Sequence, residues 1–569
     1  MLRLHCAIVF VLGSVATVRA ATNEQDRLIA TAKLWGTIKY FHPYLAYRGI
    51  DWDKALIDAL PAIRSAHSPE EYAKAIGTML GALHDPATYA RAGAVQTQPD
   101  TDGAPVAQRT WIHFGLSNSV FASRAAAAGP QTIAISMGDG VNAVVRLSEL
   151  IPANGEAAIP APQPDRAYAE SRYPSVEYRI LAAFKAWIVI RDFFAYRDLM
   201  DDDWDTVFAS VLPKFIAAKD AQEYNQTVAD TITYLFDSQA SVQSDELSEF
   251  FGSAPVGLTL RLVEKRAVIV DVADPEAAKA GVSPGDIVAA VDGENTIERI
   301  KREAKYLSSS TQQSLGALVM ARLLNGTEGS TVALTLHTGD PEPKEIRLTR
   351  SKAFATTKPQ PAAEPIRILS SNIGYVDLTR LAVADVDAMF QKLRGAKAIV
   401  FDGRGPTQSL GPALAVHLNR KPDVPVTIVT GPLTITPDLA GNGQLTSTAS
   451  FFHVEALPEP ASEIYAGKTA MLIDERTAGQ AELTGLYLEA ANNTAFIGTA
   501  SAGATGQVDS FVLPGGITVA YTRTDIRHGN GGKLQRVGLE PVQVVSPSVA
   551  AIRAGRDQPL ERAIEYLSR

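Results

Sequence analysis

Two stretches of this 569-residue chain repeat each other without a gap, and that repeat limits what its first half can fold into. Trp35-Gly36-Thr37-Ile38-Lys39-Tyr40-Phe41-His42-Pro43-Tyr44 is echoed 152 positions later by Trp187-Ile188-Val189-Ile190-Arg191-Asp192-Phe193-Phe194-Ala195-Tyr196. The same offset relates Asp51-Trp52-Asp53 to Asp203-Trp204-Asp205, Pro61 to Pro213, Tyr72 to Tyr224, and Leu83-His84-Asp85 to Leu235-Phe236-Asp237. Each unit reads as three helices: an aromatic first helix, a second that starts at the Asp-Trp-Asp, and a third around the Tyr. An Asp at a helix start caps free N–H groups, and the Trp beside it packs inward. The aromatic set therefore predicts a helical-bundle core, and His42, next to Pro43, reads as structural. The units span residues 21–94 and 176–252. Between them, residues 95–175 hold strand-like runs such as Thr132–Ser136 and Asn142–Leu147, which predict a small β-rich insert with no chemical motif.

The remaining length calls for further domains. An apolar fraction of 46%, a charged fraction of 20% and a formal charge of −9 describe a globular protein with no basic run to attract nucleic acid or anionic lipid. Arg3, the apolar run Cys6–Ala16 and the small-x-small pattern Val18-Arg19-Ala20 predict a cleaved signal over residues 1–20. No later stretch is apolar enough to span a membrane, so the expected compartment is the periplasm. The only cysteine, Cys6, falls inside that signal. The mature chain is thus expected to lack disulfides, and its nine scattered histidines offer no metal-ligand spacing and imply no cofactor.

Residues 253–352 change character. The strands Val256–Leu260 and Ala267–Val272 are followed by Pro275-Glu276-Ala277-Ala278-Lys279-Ala280-Gly281 and by Gly285-Asp286-Ile287-Val288, ending in Asp292-Gly293. This combination resembles a PDZ domain. The resemblance implies capture of an extended peptide end, with Val256, Gly257, Leu258, Thr259 and Leu260 supplying backbone N–H groups to a terminal carboxylate. A Pro/Ala-rich linker, 353–368, leads to residues 369–569, where strands alternate with helices. Ile373–Leu378, Ala398–Asp402, Val426–Val429, Lys468–Ile473 and Ala495–Gly498 read as strands, with helices over Val383–Leu393, Ala413–Leu418 and Leu483–Ala491. That alternation predicts a largely parallel sheet with crossover helices.

From about residue 180 the order of parts resembles peptidase family S41, the tail-specific or C-terminal-processing peptidases: helical bundle, PDZ, linker, crotonase-like α/β core. Ile373-Gly374-Tyr375-Val376 is similar to the family's Gly-Tyr strand. Phe401-Asp402-Gly403-Arg404-Gly405 is similar to its Asp-x-Arg-Gly strand end, whose backbone contributes to the oxyanion hole. Ile497–Gly506 is similar to its Gly-x-x-Thr-x-Gly segment. The resemblance implies a multidomain α+β protein of helical units, a β-rich PDZ domain and an S41 core.

The resemblance also locates the catalytic positions. A serine peptidase needs a hydroxyl nucleophile, a base and aimed N–H donors. The family serine lies three residues before a glutamate at a strand-to-helix turn. Counting back from Glu482 reaches Gly479. The lysine-base position of many members holds Ala504. The histidine of the other branch follows an Asp-Ser pair, and here that position holds Gln239, while Asp85-Pro86-Ala87-Thr88 in the first unit has no histidine either. Beside Gly405 in the oxyanion region stands Pro406, which has no N–H. Glu482 remains and reads as a satisfied helix-start carboxylate. Thr477, Ser501 and His528 are the substitutes to weigh for a rebuilt site.

The resulting expectation is an exported S41-like pseudoprotease that binds peptide or unfolded C-termini without cleaving them. The alternatives are an active serine peptidase with relocated nucleophile and base, and a structural assembly subunit in a homo- or hetero-oligomer.

Overall fold

The protein is described by a computed structural model covering residues 23–97, 107–117, 119–125, 132–150, 161–356, 363–434 and 448–569. The signal at 1–20, parts of the insert and the Pro/Ala run at 357–362 lie outside the described residues.

The repeat folds as two similar helical units. The first has α1 (Glu24–Phe41), α2 (Trp52–Ser65) and α3 (Pro69–Gly81), and the second has α4 (Val176–Phe193), α5 (Trp204–Ala217) and α6 (Ala221–Thr233). The Asp-Trp-Asp triplets act as their chemistry predicts. Asp51 and Asp203 cap α2 and α5 by accepting from the amides of Lys54 and Thr206. Trp52 Nε1 donates to the Trp35 carbonyl at 3.0 Å, and Trp204 Nε1 to the Trp187 carbonyl at 2.9 Å. Gly36 lets α1 and α4 approach closely, since a Cβ there would meet Ile188 at 2.6 Å. One apolar core runs through both units and takes in Phe511, Leu513, Ile517 and Val519 from a hairpin near the C-terminus.

The insert does not stand alone. Its strands Ala107–His113 and Ser119–Ala125 pair with each other, and His113 pairs with Thr434 at the end of the long core strand Pro425–Thr434. Hydrogen-bonding edges, which residue composition does not specify, drew the two together.

Residues 258–349 form a mainly antiparallel sheet whose edge strand is β1 (Leu258–Val263), paired with β2 (Arg266–Val272). Helices α7 (Thr296–Ala304) and α8 (Gln312–Met320) pack on it. The C-terminal core holds a six-stranded sheet of β3 (Ile366–Leu369), β4 (Ile373–Asp377), β5 (Ala398–Asp402), β6 (Lys468–Ile473), β7 (Ala495–Gly498) and β8 (Gln543–Val544), in that spatial order. All neighbours are parallel except β3 with β4. Successive side chains point to opposite faces, so Val376, Ile399, Phe401, Met471 and Ile473 pack under the crossover helices. Tyr375, Val400, Leu472 and Ile497 pack against the C-terminal helix Gln558–Ser568. Both faces are covered, as the near-continuous apolar strands require. Among the described residues no helix is long and apolar enough to cross a membrane, and no cluster of His, Cys, Asp or Glu is arranged to hold a metal ion.

Candidate active site

Strand β6 ends at Ile473, and the chain turns through residues 474–479 into α9 (Gln480–Asn492). Gly479 is the N-cap, with φ 55° and ψ −114°. That backbone state is strained for any residue with a Cβ, and it is how a strand-to-helix elbow lifts a nucleophile above a sheet. The space is open: a Cβ at Gly479 would meet nothing nearer than the Ala504 carbonyl oxygen at 4.0 Å. The elbow is built, and its tip carries no side chain. Helix α9 begins three residues earlier than the periodicity of Leu483–Ala491 suggested.

Glu482, one turn into α9, is fully buried. It stands in the first turn of the helix, where a carboxylate faces the free N–H end. It reaches across to the loop after β7 and accepts from the Gly503 amide at 2.7 Å, the Ala504 amide at 2.9 Å and the Ser501 hydroxyl. Burial pushes its pKa up against the pull of these donors. Ser501 Oγ in turn accepts from the Leu539 amide at 2.7 Å. The Ser501 hydroxyl is thus a buried strut with its proton committed to Glu482. Thr477 is also buried, donating to the Gly403 carbonyl at 2.8 Å and accepting from the Asp474 amide at 3.1 Å. Neither hydroxyl has a His or Lys among its described partners. His528 lies at the end of the strand Asp525–His528, beside Glu489 at 3.6 Å. Glu489 is ten residues along α9 from Gly479, about 15 Å at 1.5 Å per residue.

The lysine position, Ala504, is fully buried, and its carbonyl accepts the Gly479 amide at 2.8 Å. From this loop a chain of hydrogen bonds reaches the other base position. The Thr505 amide donates to Gln535 Oε1 at 3.4 Å, and Gln535 Nε2 donates to Asp237 Oδ1 at 3.4 Å. The Gln239 amide donates to the same oxygen at 3.0 Å. Asp237 also accepts the Thr522 hydroxyl at 2.7 Å, and burial raises its pKa because every donor is neutral. Gln239 Nε2 is buried with no acceptor. The fold therefore gathers Gly479, Glu482, Ala504 and Gln239 around the 501–505 loop, although they are far apart in sequence.

Gly405 lies on the opposite wall, tied in through the Thr477 to Gly403 bond. Its amide bonds the Gly403 carbonyl at 2.9 Å, so that donor is already engaged. Asp402 and Arg404 brace this wall: Arg404 bonds both Asp402 and Asp557, and the guanidinium holds the Asp402 carboxyl down to about 2 against the cost of burial. The stretch Val256–Leu260 lies beside the elbow rather than in it. The Leu258 amide bonds the Val256 carbonyl, the Gly257 carbonyl accepts from Ala273 and Asp274, and Thr259 and Leu260 pair with β2. Arg261, the next residue of β1, bonds Glu475 at 2.9 and 3.0 Å and pairs with Asp474 at 3.0 Å, which docks this edge onto the elbow loop. Sequence reasoning missed Gln535 and Arg261. Neither sits in a recognisable pattern, and only the placement of remote loops makes them neighbours.

The geometry is that of a strand–elbow–helix turn at the end of a parallel core sheet. Residues 372–545 match the model of peptidase family S41. A probable CtpA-like serine protease of Staphylococcus haemolyticus (strain JCSC1435) is 28% identical over 160 residues, which is 28% of this chain and 28% of that relative, so the match spans under a third of the relative's length. The fold is similar to the crystal structure of mature CPAF, at a TM-score of 0.51 and 15% identity, covering 69% of this chain and 96% of that one. It is similar as well to mature CPAF complexed with lactacystin, at a TM-score of 0.50 and 15% identity over 69% and 97% of the two chains. The S41 match covers the C-terminal core of this chain, residues 372–545, and takes in the elbow.

Proposed function

We propose that this S41 protein is exported to the periplasm and holds peptide, or the free C-termini of unfolded chains, without cutting it. One observation carries the reading: the elbow is in nucleophile-presenting geometry with glycine at its tip. Glycine has nothing to attack a carbonyl with, and loss of nucleophile or base in well-studied serine enzymes costs on the order of a million-fold in turnover. The base positions agree, since Ala504 is apolar and Gln239 has no basicity near neutral pH. The two nearby hydroxyls, Ser501 and Thr477, are committed to structural bonds. The outer position of β1 in its sheet, in a domain that resembles a PDZ, supports peptide capture by strand addition.

The test uses the mature chain with unfolded protein substrates and a fluorophosphonate probe. The expected result is neither cleavage nor labelling. Time-dependent labelling that disappears in Ser501→Ala or Thr477→Ala would overturn the reading in favour of a relocated active site. Peptides with free C-termini should bind in an anisotropy titration. A broad library without a single binder would favour a purely structural subunit.

A further inference from the structure

A cavity of about 400 Å³ opens between the second helical unit and the sheet domain, away from the elbow. Val242, Leu247 and Leu318 give it an apolar wall, and Ser241 and Ser308 add hydroxyls. Arg322, just past the end of α8, is the one charged residue lining it. Its guanidinium has neither an ion pair nor a side-chain hydrogen bond with any described residue. It lies over the Phe251 ring, 5.2 Å from the centroid, and burial lowers its pKa while Glu303 pulls it back.

The local charge count explains why it is left over. Glu303 is held by Arg299 at 3.1 Å and Arg302 at 3.6 Å, and Glu294 by the same two arginines. Two carboxylates face three guanidiniums, and the surplus cation is the one at the cavity. A partly buried cation without a counter-charge is costly, and arginine's planar fork fits a carboxylate with two parallel bonds.

We infer that this cavity is a binding pocket for a small aliphatic carboxylate, with Arg322 pairing the carboxylate and the Val242–Leu247–Leu318 wall taking the hydrocarbon. The volume suits one or two amino-acid residues, and the C-terminal residue of a peptide has this chemistry. The pocket is separate from the elbow. Hydrolysis at the elbow would overturn the reading above and leave this one standing.

The test is a calorimetric titration of the full mature chain with N-acetyl-valine and with its amide. N-acetyl-valine should bind saturably, and the amide about ten-fold or more weaker, the value of a charge-assisted pair. Arg322→Gln should lose a similar factor with an unchanged thermal melt. Leu318→Trp, which fills the cavity and leaves the charge alone, should abolish binding, and it decides the matter if Arg322→Gln does not fold. Equal affinity for acid and amide, unchanged binding in a folded Arg322→Gln or in Leu318→Trp, or no saturable binding to the wild type would each overturn the inference.

Discussion

The two helical units differ most at the residue where they are most alike. Asp85 and Asp237 occupy equivalent positions after the third helix, and both are buried. Around Asp85 the partners carry or share charge. Arg146 bonds both its oxygens at 2.9 and 3.0 Å, and His42 Nε2, the Thr88 hydroxyl and the Ala87 amide add bonds at 3.1, 2.7 and 3.2 Å. These donors hold the Asp85 carboxyl well below the usual range despite burial, and burial keeps His42 neutral. Asp237 meets only amides, a hydroxyl and a glutamine, and its pKa goes up. The repeat supplied the same acid twice. What surrounds it comes from elsewhere: the insert strand Val141–Arg146 in one unit, the C-terminal core in the other. The first site is a sealed clamp. The second is a joint that ties the helical unit to the loop under the elbow.

The largest expected effect comes from breaking the clamp. Arg146→Met leaves Asp85 buried without its cation and should cost about 3–5 kcal/mol in chemical denaturation. Asp237→Asn should cost less, about 1–3 kcal/mol, because it turns an NH2 toward existing donors without stranding a charge. A loss as large as that of Arg146→Met would mean that the two acids are equivalent after all.

His42→Phe adopts the residue that the second unit has at this position, Phe194. It removes one bond each to Asp85, Thr88 and the Tyr44 amide and should cost about 1–2 kcal/mol. The pH dependence separates the acids by sign. The folded pKa of Asp85 lies below its unfolded value, so its contribution is present above about pH 4 and lost as pH falls. The folded pKa of Asp237 lies above its unfolded value, so its contribution is present below about pH 4 and lost as pH rises through the folded pKa. Denaturation from pH 3 to 7 should therefore show stability differences of opposite slope when Asp85→Asn and Asp237→Asn are each compared with wild type. Parallel slopes would erase the distinction. The smallest effect on stability is expected from Gln239→His, within about 1 kcal/mol. Placed beside Asp237, its imidazole should reverse the sign of that acid's pH slope.

Much of this was legible in the residues because periodicity and local chemistry are local properties. The Asp-Trp-Asp caps and the apolar strands β5 and β6 needed no tertiary information. Glu482 shows the limit. Its place near a helix start predicts dipole stabilisation, and to that the loop carrying Ser501, Gly503 and Ala504, folded back beneath it, adds three donors. A carboxylate takes whichever donors surround it most closely, and those arrive from about twenty positions downstream. The insert escaped for a similar reason, since strand-edge pairing between His113 and Thr434 links segments more than three hundred residues apart.

What the sequence alone determined is chemical identity: glycine at 479, alanine at 504, glutamine at 239, and no folding can give them the groups they lack. The tertiary structure decided what surrounds those identities. It set the positive-φ elbow, committed the hydroxyls of Ser501 and Thr477, left Arg322 without a counter-ion, and pushed two repeated aspartates in opposite directions. The reason is physical. Which groups a residue owns is covalent, whereas a pKa or a free hydrogen-bonding site depends on the distance to groups brought near by folding.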